Sequence, residues 1–372
     1  MANENFGVAK KAKNDEFYTQ YRDIEKEINA YLDFNPEVFK DKTILLPCDD
    51  PEWSNFTKYF AQNFKKLGLR KLISTSYAPD SKPLQIPYQP TLFELDDEKF
   101  DQVKTQVNGK IFTLTRDKTG DGEINLEDLE WTYLEGDGDF RSEEILRLRD
   151  EADVVITNPP FSLFREFLSW VVEGSNDFVI IGNINAISYM EVFPLIKENK
   201  VWLGATNFNV GMFFFVPENF VFAATYRFER EIEGRKVSRV PGVCWYTTLD
   251  HGKRHKPLGL MTESENIKYS KHKEIKGQGY KRYDNFDAIE VPFIDAIPSD
   301  FSGLIGVPIT FVSKYNPNQF EIIGSFNAGT HGAELGAVKT ETNVKGKWIQ
   351  WNGPVVDKQP LYKRIIIRHK RG

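Results

Sequence analysis

The sequence predicts an α/β protein: a doubly wound, largely parallel sheet followed by a mixed α+β region. Three observations carry that prediction. A strand-turn-helix-strand order occurs at residues 43–75 and again at 153–187. In both places the first strand stops at a polar, proline-bearing turn, "PCDDP" (47–51) and "TNPPF" (157–161). From about residue 201 the pattern changes to strands and loops, with "GMFFFVP" and "FVFAATYRF" as the clearest runs. A chain of 372 residues accommodates two domains. Residues 1–225 are expected to hold the sheet, interrupted by an insertion at about 78–142, and residues 226–372 a second region.

Each element has its own justification. Tyr21, Ile24, Ile28, Tyr31 and Leu32 recur at helical spacing, so a helix follows "FYT". Thr43–Leu46 is a short apolar strand broken at Pro47, and Phe56, Tyr59, Phe60 and Phe64 form a helix face that ends at Gly68. "LRKLISTSY" is the next strand. Residues 78–142 have weak periodicity and many acids and glycines, with "KIFTLTR" as a short strand. Then come the helix "SEEILRLRDEA", the strand "DVVIT", the helix "SLFREFLSWVVEG", the strand "DFVIIGNINAI" and the helix "MEVFPLIKENK".

Bulk properties exclude several classes. With 40% hydrophobic and 27% charged residues the chain has an ordinary globular composition, which argues against disorder across most of its length. Cys48 and Cys244 stand alone, which excludes a disulfide framework or zinc cluster and fits a reducing compartment. No apolar run approaches the roughly 18 residues of a membrane span, and the first residues are polar, so a cytoplasmic protein without membrane association is expected. The net charge of −6 hides an asymmetry: residues 227–282 carry 14 Lys and Arg against 7 Asp and Glu. Such a basic region suits a polyanion, or a solvated face.

The turn after "DVVIT" points to specific chemistry. In a doubly wound sheet, ligands sit beyond the carboxyl ends of the strands, where Asn158 stands. Pro159 and Pro160 fix their own φ and keep the residues before them extended, with no N–H to occupy neighbouring carbonyls. An amide oxygen beside a rigid backbone carbonyl offers two acceptors to the two hydrogens of an exocyclic amine, and Phe161 adds a face on which a base can stack. Two acceptors that pull an aromatic amine's hydrogens out of plane make its nitrogen nucleophilic toward a sulfonium methyl. For adenine N6 in a duplex, the base must first leave the stack.

These residues resemble the [N/D/S]-P-P-[F/Y/W] motif of amino methyltransferases. "DEFYTQY" (15–21), "CDDP" with "SNF" (48–56), "GDGDFRS" (136–142), "VVITNPPFSLF" (154–164) and "GVPITF" (306–311) together resemble the EcoRI-type adenine-specific DNA methyltransferases, in the same order along nearly the whole chain. The resemblance implies a Rossmann-like S-adenosylmethionine-dependent methyltransferase fold acting on double-stranded DNA. It makes Asn158, Pro159, Pro160 and Phe161 catalytic candidates. Cofactor candidates are Phe17, Tyr18 and Thr19 in "FYT", Pro47 with Asp49 or Asp50 for the methionine ammonium, Asp139 for the adenine amine with Phe140 beside its ring, and Asn158. "PCDDP" replaces the Gly-rich first turn of many methyltransferases, and "STSY" lacks the acid that takes the ribose hydroxyls.

Two further readings remain. "DKTGDGEINLED" (117–128) matches much of an EF-hand loop, giving Asp117, Thr119, Asp121, Glu123 and Asp128 as ligands of a structural calcium, with a plain acidic turn as the other reading. In the basic region, "HGKRHK" (251–256) suits entry into a DNA groove. Arg254 is the candidate base contact, and Lys253, Lys256 and Lys273 suit phosphates. The segment 327–353 reads as a recognition loop or a hairpin. Other readings of the whole are a methyltransferase acting on RNA or on a protein glutamine amide, and a DNA-binding module without transfer. A single set of motifs permits a monomer, and a cognate restriction endonuclease is a possible functional companion.

Overall fold

The computed structural model describes residues 18–47, 49–50, 54–78, 97–206, 211–216, 228–232, 234–344 and 346–370. The expected strand "FVFAATYRF", apart from Phe228, lies outside them, as do Phe17 and Cys48. The chain divides into two compact units, residues 1–184 with 203–251, and residues 185–202 with 252–372. The expected division at 225/226 falls inside the first unit. No helix among the described residues is long and apolar enough to cross a membrane.

The first unit begins with β1 (Tyr18–Thr19) and a helix over Tyr21–Phe34 that buries Ile24, Glu27, Ile28 and Tyr31, the i, i+4, i+7 face expected from the sequence. β2 (Thr43–Leu46) is buried at every position, as an apolar strand covered on both faces must be. Helix Asn55–Gln62 starts at Ser54, whose hydroxyl accepts from Phe56 N, and a following turn, Phe64–Leu67, ends at Gly68 in the left-handed region. β3 (Lys71–Thr75), β4 (Lys110–Leu114) and β5 (Glu130–Tyr133) follow. Helix Glu143–Glu151, capped by Ser142, leads to β6 (Val154–Thr157), helix Phe164–Glu173 and β7 (Asp177–Asn183).

With β8 (Trp202–Leu203), where the chain returns from the second unit, and β12 (Val243–Thr247), these strands make a mixed eight-stranded sheet in the order β5-β4-β3-β2-β6-β7-β12-β8. β3, β2, β6 and β7 are parallel, while β4, β5 and β12 add antiparallel edges. The stretch expected as an insertion therefore extends the main sheet through β4 and β5. The chain runs outward from β2 to β3 on one side and from β6 to β7 on the other, so β2 and β6 meet at the point where strand order reverses. Ile44, Leu45, Val154, Val155, Val179 and Ile180 are wholly buried there. Truncating such a residue to alanine costs about 2–5 kcal/mol.

A second, four-stranded sheet of the same unit runs β1-β9-β11-β10, with β9 Met212–Phe215, β10 Phe228–Ile232 and β11 Arg235–Val240. In register, Thr19 lies opposite Phe214, and Phe214 opposite Ser238. Cross-strand partners share a face, so these three side chains point the same way.

The second unit has a five-stranded sheet, β13 (Lys281–Arg282), β14 (Ile289–Glu290), β15 (Ile305–Pro308), β21 (Arg364–His369) and β16 (Phe320–Phe326), in that spatial order. Arg364 meets the buried Glu290 carboxylate through Nε and Nη2, and Tyr283 donates to the same carboxylate, so the charges buried beneath this sheet are paired. Two hairpins complete the unit, β17 (Thr340–Val344) with β18 (Lys347–Trp351) and β19 (Val355–Val356) with β20 (Gln359–Pro360).

Candidate active site

Because β2 and β6 are adjacent and parallel, the two proline-bearing turns stand side by side at their carboxyl ends. Thr157, the last residue of β6, approaches both the Pro47 carbonyl at 2.9 Å and Asp49 Oδ2 at 2.6 Å. Ser54 donates to Asp49 Oδ1 at 2.7 Å, and Thr57 donates to the Asp49 backbone carbonyl at 2.9 Å. Ser74 near the end of β3 also donates to that carbonyl. Hydroxyls from β3, β6 and the helix after β2 thus converge on one aspartate. Asp49 is 8% exposed, and its burial raises the carboxyl to about 7 against the lowering by Thr157 and Ser54. Asp50 beside it is half-buried.

Asn158 follows Thr157 directly and is half-buried, and Pro159 is buried. The Pro160 carbonyl accepts from Leu163 N at 2.9 Å, closing a single helical turn, Phe161–Leu163, that feeds helix Phe164–Glu173. Phe164 packs so closely on β7 that a Cβ at Gly182 would meet its ring. The turn is therefore anchored at both ends. Phe161 is half-buried, its ring edge-on to the fully buried Phe214 with centroids 6.3 Å apart.

That contact turns the Thr19-Phe214-Ser238 face of the second sheet toward the Asn-Pro-Pro-Phe turn. Asn55, at the start of the helix after "CDDP", donates to the Thr19 carbonyl at 2.7 Å, tying the same sheet to the other turn. Thr19 Oγ1 and Ser238 Oγ are buried and have no hydrogen-bond partner among the described residues. A buried hydroxyl left so costs about 1–3 kcal/mol, which a bound ligand offering an acceptor would recover. Tyr18 is half-buried, with the Arg235 guanidinium 5.9 Å from its ring centroid.

The "GDGD" turn reaches the same end of the sheet. Gly138 has φ 86°, and a Cβ there would meet the Ser76 carbonyl just beyond β3. Ala78 N donates to the Asp137 carbonyl at 2.8 Å. Asp139 is held by Arg141 through Nε at 2.8 Å and Nη2 at 2.6 Å, and this pairing lowers its carboxyl below the ordinary value. Phe140 is buried in an edge-on cluster with Phe167 and Trp170, where it supports the sheet-covering helix.

The other sequence-derived candidates fall elsewhere. In the second unit Arg254 is 7% exposed, its guanidinium 3.5 Å from the Trp202 ring centroid and 2.5 Å from Asn199 Oδ1. This corrects the expectation of a groove-reading arginine, because stacking on an indole has taken it out of solvent. Lys256 and Lys273 are exposed, and Lys253 is half-buried. The acidic loop is corrected too. Asp128 accepts from Lys118 N, Thr119 N and Asn125 N, Asp117 from Gly120 N and Gly122 N, and Asp121 from Glu123 N. These carboxylates cap their own loop, and among the described residues no group of three or more acids, histidines or cysteines could hold a metal ion. Sequence reasoning missed Thr157, Phe214 and Ser238. A threonine closing the strand before "NPPF" was the one local signal for the first, and the other two depend on long-range pairing.

Comparison with known proteins places the chain in a family. The family model described as "Adenine-specific methyltransferase EcoRI" matches residues 5–370. The type II methyltransferase M.EcoRI of Escherichia coli is 40% identical over 365 residues, covering 98% of this chain and 95% of the relative. M.MpnI of Mycoplasma pneumoniae is 32% identical over 98% of each chain, and M.MgeORF184P of Mycoplasma genitalium is 33% identical over 98% of this chain and 99% of its own. No solved structure matches.

Proposed function

Since the chain belongs to the EcoRI family of adenine-specific methyltransferases, we propose that it moves a methyl group from S-adenosylmethionine to adenine N6 of a specific site in double-stranded DNA. As a member of that family, with relatives named type II methyltransferases, it is a modification methylase. The observation that carries the finer reading is the adjacency of the Pro47–Asp50 and Asn158–Phe161 turns at the reversal point of a parallel sheet. This placement supports a Rossmann-like use of the strand ends.

The residues present fit a bound methyl donor. Thr19 offers a buried hydroxyl with no partner among the described residues, Asp49 and Asp50 offer acidity at the strand ends, and the Asp139 carboxylate sits on the turn that closes over β3. S-adenosylmethionine, when bound, supplies an electrophilic sulfonium methyl. The chain's part is to hold the acceptor. Phe161, backed by Phe214, stacks a base rotated out of the duplex, a contact of about 1–3 kcal/mol set against a few kcal/mol of unstacking. The Asn158 amide oxygen and the Pro159 carbonyl accept the two N6 hydrogens. With both N6 hydrogens held, the nitrogen lone pair would be free to take the methyl that the bound donor would supply, and the surplus proton would leave N6 for solvent. No strong base is needed beforehand. In the second unit, Lys253, Lys256 and Lys273 are proposed phosphate contacts.

The test is to incubate the purified chain with unmethylated duplex DNA and S-adenosylmethionine, digest the DNA, and weigh the nucleosides. N6-methyladenine is expected. Methyl transfer to RNA or protein alone would favour another acceptor, and no transfer to any of them, with DNA still bound, would mean a binding module.

A further inference from the structure

We propose that the β17–β18 hairpin reads the recognition sequence, entering the DNA major groove with Trp348 and Gln350 on its reading face; this rests on the DNA-methyltransferase reading above and deepens it. The register pairs Glu341 with Gln350, Thr342 with Ile349, Asn343 with Trp348 and Val344 with Lys347. Alternation along each strand therefore puts Glu341, Asn343, Trp348 and Gln350 on one face. The opposite face is the root of the ribbon. Thr342 is fully buried, its hydroxyl donating to the Lys358 carbonyl at 2.8 Å, and Asn343 N donates to the same carbonyl at 3.2 Å. At the tip, Gly346 takes φ 83° and its N–H donates to Asn343 Oδ1 at 2.9 Å. The ribbon is thus rooted and closed, while Lys347 to Gln350 remain exposed.

Trp348 is 54% exposed and Ile349 38%. Covering this indole would gain apolar burial that the free protein does not have. The charge selects the partner. Lys339, Lys345 and Lys347 face a single acid, Glu341, over residues 338–351, which suits a polyanion. A two-stranded ribbon fits the major groove, about 12 Å wide. Trp348 and Gln350 are two residues apart on one strand, about 6.7 Å, which matches two base-pair steps of about 3.4 Å each. Gln350 has the carboxamide that pairs with adenine, accepting from N6 and donating to N7, and Trp348 offers an apolar surface to a thymine methyl. Glu341, opposite Gln350, is repelled by phosphates and keeps this face on base edges. Lys347, on the other face at the tip, is left for the backbone.

The experiment uses the full chain and three variants, Gln350→Ala, Trp348→Ala and Lys347→Ala, with S-adenosylmethionine and genomic DNA from an unmethylated source. Methylated positions are mapped by sequencing, duplex affinity is measured across a salt series, and thermal melts check that each variant is folded. Gln350→Ala should lose discrimination at one A·T position of the motif by roughly 10–100-fold. Trp348→Ala should relax a different position. Lys347→Ala should keep the motif and shrink the log-log salt slope by about one. Folded variants that keep the wild-type motif, affinity and salt slope overturn the proposal, as does a Trp348→Ala effect confined to oligomeric state. Wild type that methylates no DNA sinks the parent reading instead, and does so without any variant.

Discussion

Thr157 Oγ1 lies 2.6 Å from Asp49 Oδ2 and 2.9 Å from the Pro47 carbonyl, and one hydroxyl hydrogen cannot serve both acceptors. The shorter contact makes Asp49 the acceptor of that hydrogen, and Ser54 donates to the other carboxylate oxygen. Burial outweighs both donors and raises the Asp49 carboxyl to about 7.

The folded protein therefore takes up a proton at Asp49 that the unfolded chain, titrating near 4, has released. The stability this contributes is complete below about pH 4 and is lost as pH rises through about 7, a few kcal/mol at most. Asn at this position cannot titrate. Denaturant melts at several pH values should show Asp49→Asn without the decline that wild type has between about pH 4 and 7. Parallel pH profiles for the two proteins would remove the proton from Asp49.

Thr19 gives a second test, because its buried hydroxyl has no partner among the described residues. Thr19→Val should leave the melting temperature of the ligand-free protein unchanged or raise it, while weakening S-adenosylmethionine binding about five- to tenfold, the worth of one hydrogen bond. Titration calorimetry and thermal melts read the two effects separately. A destabilised protein with unchanged affinity would make Thr19 a packing residue.

The turn that closes over β3 depends on Gly138. Alanine there would be strained at φ 86° and would press its Cβ on the Ser76 carbonyl, at a cost of roughly 1–3 kcal/mol. Because Asp139 rides on this turn, Gly138→Ala and Asp139→Ala should both weaken cofactor binding, and only the first should also lower stability clearly. An Asp139→Ala affinity equal to wild type would leave that carboxylate as no more than the partner of Arg141.

The acidic loop at 117–128 should ignore calcium. Its carboxylates are committed to backbone N–H groups, and hydrogen bonds from Thr119 N and Asn125 N lower Asp128 to about 2. The stability they confer is present above about pH 4 and lost as pH falls toward 2. Calcium or a chelator should leave the melting temperature where it is, whereas Asp128→Ala should lower it. A rise with calcium would restore the metal reading.

What was legible in the sequence is what local pattern encodes. Thr43–Leu46 and Val154–Thr157 are short apolar runs stopped by polar, proline-bearing turns, and the strand-turn-helix-strand order implies a doubly wound sheet with ligands beyond the strand ends. That placed Asp49 and Asn158 each at the carboxyl end of a strand, and that the two strands are neighbours required the fold. What was not legible depends on distant partners. "VCWYT" after residue 226 read as part of a second region, yet it pairs antiparallel with β7, a contact that no local periodicity announces. Arg254 in "HGKRHK" looked like a groove reader because sequence does not reveal Trp202 beneath it. Phe214 appeared as one residue of a strand, and its position beneath Phe161 required the fold.

In the proposed reaction Asn158 polarises the acceptor amine without being needed to bind DNA or cofactor. The most direct measurement is single-turnover methyl transfer to duplex DNA by wild type and Asn158→Ala, with DNA and S-adenosylmethionine affinities measured on the same preparations. Expected are N6-methyladenine from wild type, a loss of transfer of at least about a hundredfold in the variant, and affinities within a few-fold of each other. Transfer by Asn158→Ala at the wild-type rate would contradict this role.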